Sequence, residues 1–334
     1  MAIGTRIGDA LARALQDLSI ARHLRGASLF RILGGTAILL EYLMNYAQRA
    51  YLFGPNGVFP FESYVARHSG FPLYAFSQST AYFELIYHLG IVIAFAWTLG
   101  IKTRWLTPLT LISWRALHDR NGMLWDGGDN LMGLLLIYAC FVNVSAHWSF
   151  DAGASKLETD AAASKWRDAS GILHNAALLA MAIQICLVYG IAGLTKVQGE
   201  VWRDGTALYF AFIDPEHGWP GVTEHLWKSG PLLTLLAYFT VAFQIGFTFL
   251  LFLNRWSRRC AVCIALSFHV GIALCMGLVT FGMFMMAADL ALIEDADYES
   301  LGAGWRALVR RFAPRREVTS PTALRPGDER PLAH

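Results

Sequence analysis

The sequence predicts an all-α integral membrane protein, a bundle of about eight transmembrane helices. Three observations carry this. Hydrophobic residues are 55% of the 334 and charged residues only 16%, against the roughly 25% charged residues of an ordinary soluble domain. The apolar residues gather into runs of the length that a bilayer demands, about 20 residues per helix. The basic residues fall mainly in alternate connections between those runs, as the positive-inside rule requires. A net charge of +2 supplies no basic field, which excludes nucleic acid as the leading partner class.

Residues 1–27 carry Arg6, Arg13, Arg22 and Arg25 among apolar residues at helical spacing, with no cleavable apolar segment directly after them. This predicts an amphipathic interfacial helix rather than a signal peptide. A transmembrane domain over 28–295 follows, with apolar runs near 28–48, 81–101, 127–146, 173–194, 232–253 and 260–279. Two shorter runs, 105–118 and 280–293, can cross if they tilt or pack inside the bundle. Residues 296–334 form a basic tail, and the part from about 313, rich in Pro, Ser and charge without periodicity, is expected to be disordered and able to touch lipid. With eight crossings and both termini in the cytoplasm, 19 of the 27 Lys and Arg lie inside and 7 outside, while Arg31 falls within the first helix.

An ionisable residue at membrane depth is costly unless it is paired or faces a cavity, so each is a functional candidate. Arg31 and Glu41 are about 15 Å apart along the first helix, too far to meet, so each is expected to find partners on other helices as a structural charge. Asp129 and Asn130 open a helix after Trp125 in WDGGDNL, where a helix N-terminus favours a carboxylate and where Asp129 also suits a plain cap. Lys196 ends the run LLAMAIQICLVYGIAGLTK. It is either an interface lysine that snorkels or an amine whose burial frees it to act as a base. His269 stands in an apolar helix with only Ser267 near it, as a core histidine or a site residue. Cys260 and Cys263 lack the second pair of a zinc site, and the histidines lack metal-binding spacing, so no metal is expected. The five cysteines behave as small hydrophobes and do not fix the compartment.

Several segments together resemble one family over about 28–290, the vitamin K-dependent gamma-carboxylases and their bacterial relatives, the HTTM (horizontally transferred transmembrane) proteins. The clearest is AGLTKVQGEVWRDG, similar to the carboxylase stretch Ala-Gly-Val-Lys-Lys-Leu-Asp-Ala-Asp-Trp-Val-Glu-Gly. The second lysine there, the family's proposed base, falls on Lys196, and the tryptophan on Trp202. Further matching pieces are Phe30-Arg31, His147-Trp148-Ser149 with Asp151, Phe268-His269 and Gly282-Met283-Phe284. The resemblance implies a multi-pass enzyme of a bacterial cytoplasmic membrane. It would use a reduced quinone, menaquinol or vitamin K hydroquinone, with oxygen to modify a peptide or small substrate. Lys196, His269 and Asp129 would then be catalytic, with Trp125, Trp202 and Asn130 against the cofactor. One departure bears on the chemistry: the carboxylases carry Trp-Asn-Asn-His-Ser-Tyr-Leu where this chain has WDGGDNL, which sets Gly128 at the histidine. No carboxylation of glutamyl peptides is therefore expected. A non-catalytic lipid- or partner-binding membrane protein and a transporter are the competing classes; convergence of Lys196, Asp129 and His269 on one cavity would favour the enzyme.

Overall fold

Every long apolar run of the sequence is helical in the computed structural model, which describes residues 16–67, 72–152, 161–214, 221 and 223–312. The first fifteen residues and the tail beyond 312, with the interfacial start and the disorder expected there, lie outside the described residues. The long helices are α1 (Leu24–Met44), α2 (Thr80–Leu99), α3 (Thr103–Arg120), α4 (Gly127–Ala139), α5 (Ala161–Gln198), α6 (Gly230–Leu253), α7 (Arg255–Met276) and α8 (Val279–Ala291). No strand occurs among the described residues. Residues 296–312 belong to a separate unit that is helical as part of α9 (Asp295–Phe312).

Five stretches are long and apolar enough to cross a membrane: Gln16–Met44, Thr80–Leu99, Trp166–Gln198, Gly230–Leu253 and Arg255–Met276. Their outward positions carry Leu85, Val92, Phe95, Leu187, Ile191, Phe249 and Phe252, all exposed. So large an apolar exterior is stable only against lipid. The other three helices include the two shorter runs that the sequence marks, now α3 and α8, and α4, which is shorter than the full run expected over 127–146. α3 carries Arg104, Arg115 and Arg120, and α4 and α8 have 13 residues each, about 20 Å of helix against a hydrocarbon core of about 30 Å.

The packing explains why such short helices persist. Each helix packs on the next in sequence, and α8 closes the circle on α1 while also touching α4 and α5. α8 is thus an interior element; Phe284, Ala287, Ala288 and Asp289 are buried. Capping follows local sequence. Asp126 accepts hydrogen bonds from the amides of Gly128 and Asp129 while Asp129 accepts from the Asp126 amide, a closed box at the start of α4, and Asn254 with Ser257 does the same for α7. Sequence reasoning placed the cap at Asp129; the N-cap residue is Asp126.

Candidate functional site

Two buried polar clusters lie inside the bundle, and α8 contributes Asp289 to one of them. The first joins α1, α3 and α4. Trp114 Nε1 donates to Glu41 Oε2 at 2.7 Å and His118 Nε2 approaches the same oxygen at 3.3 Å. His118 Nε2 is also 4.0 Å from Asp129 Oδ1. That oxygen is buried without a hydrogen-bond partner. Trp125 lies against His118, ring centroids 5.2 Å apart, and the Arg115 guanidinium sits 3.7 Å over the Trp125 ring. Asn130 is exposed and stands apart from this group.

The second cluster joins α5, α7 and α8. Tyr189 Oη lies 2.8 Å from His269 Nε2 and 3.0 Å from Asp289 Oδ2, and all three residues are buried. A hydroxyl has one proton, so Tyr189 donates to one of these two neighbours and accepts from the other. His269 Nδ1 is buried and without a partner. A buried ring nitrogen left unpaired calls for an explanation. Phe268, whose ring meets His269 at 5.2 Å, is also a wall of a cavity of about 520 Å³ bounded by Leu208, Phe239, Thr240, Ser267 and Cys275.

Lys196 belongs to neither cluster. Half-buried at the end of α5, its Nζ is 3.5 Å from Ala192 O and 5.2 Å from the centre of the Trp202 ring. No carboxylate pairs with it among the described residues. Tyr189 lies seven residues earlier, on the same face of α5 about 10 Å along the axis. Between them Gly193 lets α6 approach so closely that a Cβ there would meet Ile245 and Gln244, and the Gln244 Oε1 is buried without a partner. Beyond Lys196, the hydroxyl and amide of Thr206 donate to Asp204 and hold its carboxyl below the ordinary range. The structure therefore places Asp129 and His269 in separate clusters and leaves Lys196 two turns from the second.

Gly128, at the carboxylase histidine position, faces Phe281: a Cβ would stand 3.0 Å from the ring and 3.1 Å from its Cα. A larger side chain there requires Phe281 to shift. Arg31 departs from the expected interhelical ion pair. Its guanidinium donates to Val144 O (2.9 Å), Trp148 O (2.7 Å), His147 O, Trp97 O and Thr98 O. The last two are terminal carbonyls of α2, where the helix dipole favours a cation. Phe30-Arg31 and His147-Trp148, distant pieces of the resemblance, thus meet in space. Sequence reasoning missed His118, Trp114, Tyr189, Gln244 and Asp289. Asp289 carried a signal, a lone carboxylate within TFGMFMMAADLALI.

A helical membrane bundle with buried acid–base clusters describes a class of protein. Its family is also shown: the HTTM domain matches residues 26–297, and the chain belongs to the HTTM family. Among its relatives, the sporulation-delaying protein SdpB of Bacillus subtilis (strain 168) is 24% identical over 83% of both chains. The uncharacterized protein YitO of the same organism is 27% identical over 34% of this chain and 38% of its own. No solved structure matches at a significant level.

Proposed function

We propose that this HTTM protein is a membrane enzyme that performs acid–base chemistry on a reduced quinone with oxygen as co-reactant. The observation that carries the reading is the unpartnered Nδ1 of His269, whose Nε2 meets Tyr189 and through it Asp289, in a ring that touches Phe268, a wall of an apolar cavity of about 520 Å³. That volume lies within the range of small-molecule sites, and an apolar lining with few hydroxyls suits a quinone head and the start of its tail. When bound, a quinol supplies reducing power. The chain supplies proton acceptors: Lys196, unpaired and matched to the family's base, takes the first proton, and His269 with Tyr189 and Asp289 holds one within the bundle. The residue at 128 supports a product other than carboxyglutamate.

The topology of this reading has all eight helices crossing a bacterial cytoplasmic membrane with both termini inside, and α4 and α8 shielded by their neighbours. Purified protein in detergent, supplied with a short-chain menaquinol, should consume oxygen faster than protein-free micelles. Quinol bound without oxygen uptake would favour the lipid-binding alternative, and no binding at all would remove the quinol from the account.

A further inference from the structure

We propose that Glu41, His118 and Asp129 form a binding site for one divalent transition cation of the Zn²⁺ or Fe²⁺ kind. One ligand atom from each residue lies within 4.8 Å of the other two. Metal–ligand bonds of about 2.1 Å at a tetrahedral centre set donor atoms about 3.4 Å apart. The His118 Nε2 to Glu41 Oε2 separation of 3.3 Å already meets that, and the 4.0 Å to Asp129 Oδ1 needs only a small side-chain rotation.

Three further features distinguish this group from an ordinary acidic cluster. Asp129 is 3% exposed, and its Oδ1, the oxygen turned toward His118, has no hydrogen-bond partner. The other oxygen is committed to the Asp126 amide at 2.9 Å, so the carboxylate is held in place with one free arm. Two carboxylates and one neutral imidazole neutralise a divalent cation, and no Lys or Arg pairs with either carboxylate among the described residues. The guanidinium of Arg115, one turn before His118 on α3, is turned onto Trp125. Trp114 fixes Glu41 by its indole N–H and packs edge-on against His118 at 4.6 Å, as outer groups around a metal do. Imidazole in the set favours Zn²⁺ or Fe²⁺ over Mg²⁺ and Ca²⁺. The residues lie near the last turns of α1 and α3 and the first turn of α4, so a cation can enter from that end of the bundle. No sequence motif announces the site, because its ligands come from three helices.

The test is independent of quinol turnover. Full-length protein purified in detergent and stripped with a chelator should take up about one equivalent of Zn²⁺ by elemental analysis and should ignore Mg²⁺. With Co²⁺ it should give the visible absorption of a cobalt centre with a nitrogen ligand. Asp129→Asn, which keeps an oxygen for the Asp126 amide and so keeps the cap, and His118→Ala should each bind at least tenfold more weakly. Trp114→Phe should weaken binding about 10- to 100-fold. A Cys260→Ser, Cys263→Ser variant should bind as wild type. Wild-type protein that takes up no stoichiometric Zn²⁺ or Co²⁺ would overturn the proposal and leave the two carboxylates sharing a proton. So would uptake that survives Asp129→Asn and His118→Ala, or that disappears with the two cysteines.

Discussion

The hydroxyl of Tyr189 lies 2.8 Å from Nε2 of His269, and through it the imidazole is tied to Asp289 one helix further on. These residues are 80 and 100 positions apart in the chain. Their meeting sets the polar interior of an otherwise apolar half of the bundle.

Tyr189→Phe removes the bridge and keeps the ring stacked on Phe247 at 4.0 Å. It leaves a buried imidazole and a buried carboxyl each short of a partner, a penalty of about 1–3 kcal/mol. Thermal unfolding in detergent should show the loss. Asp289→Asn combined with Tyr189→Phe should lose less than the two single changes added together, because both report one network. Additive losses would mean that the contact contributes nothing.

Arg31→Lys should destabilise almost as much as Arg31→Ala. An ammonium cannot satisfy carbonyls at Val144, Trp148 and the end of α2 together, whereas the guanidinium fork does. Charged hydrogen bonds at about 1.5–3 kcal/mol each make this a large loss, to be read as yield of monodisperse protein. Gly100→Ala should act at the same place. Its φ is +76°, and a Cβ would collide with Ser149 Cβ and stand 2.8 Å from the Arg31 guanidinium.

Gly128→His should fail to create carboxylation and should lower stability by about 1–3 kcal/mol through overpacking against Phe281. Adding Phe281→Ala should recover part of that stability. Recovery that never appears would show that the clash with Asp126 Oδ1, 3.1 Å from the same Cβ, dominates.

The helices were legible in the sequence because hydropathy is a local signal. The run 81–101 is α2 at Thr80–Leu99, and 232–253 is α6 at Gly230–Leu253. Short α8 was legible as a run that either tilts or packs inside the bundle, and the choice between the two was not. The clusters escaped for a different reason: Glu41 meets Trp114 and His118 across 73 and 77 residues, and no spacing rule spans two helices. Arg31 invited a search for a carboxylate, since sequence shows formal charges. Its partners are backbone carbonyls, whose partial charge at the end of a helix has no letter. Asp289 was open to the rule that singled out Arg31 and Glu41.

The reading of Lys196 as a base rests on its half-buried, unpaired position and on the family's lysine at the same place in the motif. Reporter fusions that put the end of α5 on the periplasmic face would agree with a base on the outer side, and a cytoplasmic result would reverse the whole topology.

The most direct measurement is menaquinol-dependent oxygen uptake by purified wild type, Lys196→Ala, Lys196→Arg and His269→Ala, compared at equal yield and equal unfolding temperature. Turnover should be present in wild type and lost in both Lys196 variants, since a guanidinium stays protonated near neutral pH, and it should fall at least about 100-fold in His269→Ala, the lower range for a general base. Turnover that persists in both Lys196 variants and in His269→Ala would contradict the account.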